Sequence, residues 1–91
     1  MQPDIAVSHA LCAVSFILSE DALRDRFMAL SGLSPDEIRE NLQASGFLAC
    51  VLEFLISHEP DLIAFAENAQ IKPADIVTAW RSLGGGKGQE W

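Results

Sequence analysis

An all-α fold is expected for this chain of 91 residues. The architecture expected is a compact six-helix domain, built from two similar three-helix units related by pseudo-twofold symmetry. Three observations predict it. No segment alternates apolar and polar residues with period two, and the β-branched and aromatic clusters of a strand are missing. Gly and Pro fall where helices stop and start. Finally, the chain repeats itself: residues 8–42 fall on residues 46–80 at an offset of 38. Cys12 then meets Cys50, Phe16 meets Phe54, Ser19 meets Ser57, and Phe27 meets Phe65. Pro35 meets Pro73 and Ile38 meets Ile76. These matches occupy cap, punctuation and core positions, where a repeated supersecondary unit needs them.

The helices are expected at roughly 4–18, 20–31 and 35–44, then 46–57, 60–69 and 73–83. The first is apolar nearly all round, which marks it as central. A narrow stripe of small or polar residues, Ser8, Cys12, Ser15 and Ser19, keeps to one face of it. On the second helix Leu23, Phe27 and Leu30 are spaced to face inward, and Gly32 is placed to end it in a left-handed conformation. The third starts most clearly. Ser34 is an N-cap, Pro35 suits the first helical position, Glu37 closes a capping box, and Leu33 with Ile38 forms a hydrophobic staple. Ile38 and Leu42 face inward from it.

The fourth helix repeats the first, with the stripe Gly46, Cys50, Glu53 and Ser57. Both stripes have two readings: a close crossing of the two central helices, or their solvated edges. Pro60 fits the first turn of the fifth helix, which turns Leu62, Phe65 and Ala69 inward. The sixth opens on Pro73 and turns Ile76, Trp80 and Leu83 inward. Its start is weaker than that of the third. Lys72 is a poor cap, and Gln70 stands where the first copy has glycine, at a cost of about 1 kcal/mol if the left-handed turn is kept. Residues 1–83 thus read as one helical domain, with units 4–44 and 46–83. Residues 84–91 read as a flexible Gly-rich tail.

Composition narrows the function classes. Thirteen acidic residues against six basic ones give a net charge of −7, which removes the electrostatic drive for nucleic acid or anionic membranes. Two cysteines are too few for a disulfide framework. The apolar run 5–18 lacks a basic leader region, carries Asp4 where a cation belongs, and is too short to span a bilayer. A cytoplasmic location is expected. Hydrophobic residues make up 49% of the chain, more than so small a domain can hide, so some apolar surface is expected to face a partner.

Candidate chemistry is sparse. His9 and Cys12 share a helical face, and with Cys50 and His58 they make up a nitrogen and sulfur set of the kind zinc favours. His58 lies eight residues beyond Cys50, or about 12 Å along a helix, which is too far for a tight ligand pair. The commoner reading of both cysteines is a small buried hydrophobe. A thiolate nucleophile needs an electropositive setting, the opposite of an acidic chain. The carboxylates Glu20, Asp21, Asp36, Glu37, Glu59, Asp61 and Asp75 fall in first turns, where they complement helix dipoles. Glu53 is the exception, mid-helix among apolar residues, and is read either as solvated on the narrow stripe or as paired with Arg24, Arg26 or Arg39. Gly84, Gly85, Gly86 and Lys87 follow a helix instead of a strand and open no helix, so they are not a phosphate loop.

The run Phe47-Leu48-Ala49-Cys50-Val51-Leu52-Glu53-Phe54-Leu55, with Leu62-Ile63-Ala64-Phe65-Ala66, resembles domain-of-unknown-function family 3572, small bacterial all-helical proteins. Phe27-Met28-Ala29-Leu30-Ser31-Gly32-Leu33-Ser34-Pro35, followed by Ile38-Arg39, is similar to the same family. The likeness spans roughly residues 5–83. It implies the helical fold, and because the family carries no assigned activity it implies no site.

The function expected is a cytoplasmic interaction or regulatory domain, not an enzyme, that pairs as a homodimer or binds another protein. No cofactor, metal, nucleic acid or membrane is expected. The alternative is a carrier holding a small apolar ligand in a pocket between the two units. Glu53, His9, Cys12 and Cys50 are the only candidate site residues.

Overall fold

The computed structural model describes residues 1–86. Six helices follow in order: α1 (Pro3–Ser19), α2 (Asp21–Ser31), α3 (Pro35–Glu40), α4 (Ser45–Ile56), α5 (Glu59–Ala69) and α6 (Pro73–Ser82). There is no strand among the described residues. No single helix there is long and apolar enough to cross a membrane, and α1 and α2 bend by 110° where they meet at Glu20.

Helix α1 is central, packing against α2, α4, α5 and α6. Its Ala6, Ala10 and Ala13 are completely buried. Spacings of four and three put these methyl groups on one face, where they let neighbouring helices approach closely. Leu48, Val51, Leu52 and Leu55 of α4 and Ile76 and Ala79 of α6, the two helices α1 packs against most, belong to the same core. The two small-residue stripes play no part in this crossing. Ser8, Cys12, Ser15 and Ser19 are exposed, as are Gly46, Cys50, Glu53 and Ser57. Of the two readings open for the stripes, the structure selects the solvated edge. It also corrects the reading of Cys12 and Cys50 as buried hydrophobes: both are exposed free thiols. The alanines supply the close-approach face, which leaves the cysteine face outward.

Local signals place most boundaries. Ser34 Oγ accepts from the Glu37 N–H at 3.3 Å, and Glu37 Oε1 accepts from the Ser34 N–H at 3.2 Å, completing the capping box. Helix α3 ends at Glu40, short of the expected 44. The side chain of Asn41 donates to the Glu37 carbonyl at 2.7 Å, and the chain turns there. Asparagine that bonds the backbone locally favours turns over helix continuation.

Gly32 ends α2 at φ 73°, with its N–H donating to the Met28 carbonyl. Gln70 ends α5 in the same left-handed region, at φ 57°. Ile71 then donates to the Ala66 carbonyl at 3.0 Å, the six-to-one bond of a Schellman turn. The left-handed turn is thus kept without glycine. Replacing Gln70 with glycine is expected to raise the unfolding free energy by about 1 kcal/mol, read as a melting temperature about 4–8 °C higher. Gly32→Ala is expected to lower it comparably. Nothing lies within 4 Å of a Cβ built there, so the cost is backbone strain alone.

After α6, Gly84 donates to the Arg81 carbonyl at 3.0 Å and Gly85 to the Trp80 carbonyl at 2.8 Å, a second Schellman turn. A Cβ on Gly85 would lie 2.3 Å from the Trp80 indole, so only glycine fits. The expected tail over 84–91 therefore falls in two parts: 84–86 turn back over Trp80, and 87–91 lie outside the described residues.

One inward assignment fails. Leu30, read as a core residue of α2, is 74% exposed. Leu23 and Phe27 are buried as expected, but Leu30 stands beyond the edge of the packed core.

Candidate functional site: an apolar groove between α2 and α4

Beside Leu30 lies an open cleft of about 690 Å³. Phe27 of α2 and Phe47 and Phe54 of α4 line it. The Phe27 ring meets Phe54 edge-on at 5.2 Å and Phe47 at 6.2 Å. Leu30 and Leu33 extend the apolar wall on one side. The backbones of α2 and α4 stay apart, the two helices meeting through these rings, and the groove lies beside them.

The rim is polar. Arg26 stacks over the Phe54 ring, its guanidinium carbon 5.0 Å from the centroid, a geometry that favours a cation over a π face. The same guanidinium pairs with Asp61 of α5. His58 Nδ1 lies 2.8 Å from Asp61 Oδ2 and donates to it when protonated there. Asp61, with a side chain only 15% exposed, thus joins the start of α5 to α2 and holds two of the residues that line the groove, Arg26 and His58. The other wall is the outward stripe of α4, with Cys50, Glu53 and Ser57.

Of the sequence candidates, Cys50 and Glu53 face this groove together with His58. His9 and Cys12 do not. Cys12 lies in a separate shallow depression along α1 with Asp4, Ser8 and Leu11, and His9 is half-buried on the same helix. The structure therefore does not unite His9, Cys12, Cys50 and His58. No group of three or more metal-ligating side chains occurs among the described residues. Each arginine suggested for Glu53 pairs elsewhere: Arg24 with Asp21 and Asp25, Arg26 with Asp61, and Arg39 with Asp36. Glu53 has no ion-pair partner among the described residues.

The arrangement can bind apolar groups over an area rimmed by charge. It brings no nucleophile into hydrogen-bond contact with a base among the described residues. Sequence reasoning missed the groove because Leu30 read as core. The available signal was Phe47, Cys50, Phe54 and Ser57, an outward α4 face that mixes two large aromatics with small residues.

No curated protein and no solved structure matches the chain. Residues 3–86 match the family described as a protein of unknown function, DUF3572, and the chain belongs to that family.

Proposed function

We propose that this chain is a protein-interaction domain that works through the α2–α4 groove and pairs there with a second copy of itself. The observation that carries the reading is Leu30, an aliphatic side chain 74% exposed at the edge of an apolar groove that it also lines. Knob and hole lie in one patch, which is what an isologous twofold interface requires. Each copy can seat its Leu30 over the other's phenyl rings. The two free thiols accord with a cytoplasmic, reducing location.

Internal duplication strengthens the case. At the offset of 38, Phe16 corresponds to Phe54 and Phe27 to Phe65. A pseudo-twofold axis then makes the Phe16–Phe65 contact, at 5.5 Å, the counterpart of Phe27–Phe54, at 5.2 Å. Helices α2 and α5 also begin and end 38 residues apart, both on left-handed residues. The third helices depart from the symmetry: α6 packs against α1, α4 and α5, and α3 has no comparable contacts. In the groove, Leu30 and Phe47 correspond to Asn68 and His9 in the other unit. The apolar surface is therefore built on one side only, where packing symmetry does not demand it.

The carrier reading is favoured by one feature, a cleft of ligand size lined by both units. A native mass spectrum of protein purified from its own source separates the two readings. The expected result is a dimer without adducts. A monomer carrying a reproducible extra mass of a few hundred daltons would replace self-association with carriage.

A further inference from the structure

In the proposed dimer each copy offers the other Leu30 as its exposed aliphatic side chain. The cleft that receives it measures about 690 Å³, within the roughly 300–1,000 Å³ of sites that enclose a drug-sized ligand. One leucine leaves most of that volume unused. Charge is mismatched as well. Arg26 and His58 on the rim both meet Asp61, while Glu53 faces the groove with no ion-pair partner among the described residues. A second copy carries a net charge of −7, so it approaches against repulsion. An occupant with more apolar bulk and a cation for Glu53 fits the groove better.

Shape selects a helix as that occupant. The α4 wall of the groove runs from Phe47 to Ser57, about 15 Å along the helix axis and close to three turns. Phe47 and Phe54 stand two turns apart on it, and Phe27 of α2 meets both rings. Among the described residues there is no strand whose edge an extended peptide could join. A helix needs no such edge, because its backbone groups are satisfied internally. Apolar anchors at i, i+4 and i+7 lie along one face of it, spaced to follow the phenyl floor.

We propose that the groove also receives a basic amphipathic helix of another protein, which seats its apolar anchors over Phe27, Phe47 and Phe54 and pairs a lysine or arginine with Glu53. The inference rests on the groove being a docking site, as read above, and adds the partner it serves. The two occupants exclude each other, so the self-paired chain is the form that this helix takes apart. Opposite net charge speeds its approach, where like charge slows that of a second copy.

The test uses the full chain and a fluorescein-labelled synthetic peptide of about 16 residues, long enough to hold helical structure. The peptide is alanine-rich, with leucine at i, i+4 and i+7 and lysine beside them; its twin carries glutamate for each lysine. Fluorescence anisotropy is expected to show the lysine peptide binding at least tenfold more tightly than the twin. Glu53→Lys should weaken it at least fivefold and Leu30→Ala at least threefold. Glu67→Lys makes the same charge change on exposed α5, outside the groove lining, and should leave affinity nearly unchanged. Saturating peptide should slow alkylation of Cys50 and spare Cys12. Equal affinity for the two peptides, equal losses in Glu53→Lys and Glu67→Lys, or an unprotected Cys50 overturns the inference. Sedimentation equilibrium with saturating peptide should show one chain per peptide, and peptide bound to an intact dimer overturns the exclusion. If the peptide binds this way to a chain that never pairs, the inference stands and the proposed dimer falls; a chain that pairs and ignores the peptide gives the reverse.

Discussion

Replacing Leu30 with glutamate is expected to weaken self-association at least tenfold while leaving the melting temperature nearly unchanged. The two effects separate because Leu30 is 74% exposed and outside the packed core. Surface changes of this kind shift folding stability by no more than about 0.5 kcal/mol. In the proposed dimer each copy places one Leu30 on an apolar floor, so the substitution sets two carboxylates against phenyl rings and beside Glu53. Tenfold corresponds to about 1.4 kcal/mol, a modest demand for two such sites. Sedimentation equilibrium reads it. The same experiment carries a salt dependence: copies with a net charge of −7 repel each other, so raising the ionic strength is expected to tighten wild-type pairing by screening that repulsion. A Leu30→Glu protein that pairs with the wild-type constant would remove Leu30 from the interface.

The largest stability effect is expected at Phe65. Its ring is completely buried and packs against Phe16 at 5.5 Å with a tilt of 50°. Phe65→Ala is expected to cost about 3–5 kcal/mol, counting lost transfer energy and the cavity left behind. Against a total of about 5–15 kcal/mol for a domain, that moves the urea midpoint far toward zero. Phe27, its counterpart under the proposed duplication, gives the contrast. It is also buried, with the Phe54 and Phe47 rings edge-on against it, but it borders the open groove, so a cavity left by its removal opens to solvent. Phe27→Ala is expected to cost less than Phe65→Ala. Equal midpoints for the two variants would contradict the asymmetry between the two sides of the fold.

Much of the fold was legible where local chemistry decides the outcome. Ser34, Pro35 and Glu37 mark the start of α3 because a capping box needs only those side chains and three backbone groups. Gly32 marks the end of α2 for the same kind of reason. Gln70 shows where local reading loses force: the left-handed turn forms despite an unfavourable residue, because Ile71 and Phe65 are held by the core. The groove was not legible. Leu30 has the spacing of a core residue, and nothing within α2 says that no neighbouring helix covers it. The outward stripe of α4 was visible, but whether it faced a neighbour or water depended on the alanines of α1, about two turns of another helix.

The two native cysteines provide the most direct measurement of the central claim. Cys50 lines the groove, and Cys12 sits on the outer face of α1; both are exposed. Alkylation rates at each thiol can be followed by mass spectrometry across a dilution series spanning the dimerisation range. Slowing at Cys50 as concentration rises, with Cys12 unaffected, is the predicted result. Equal rates for Cys50 at every concentration, or protection that appears at Cys12 instead, would contradict an interface in the α2–α4 groove.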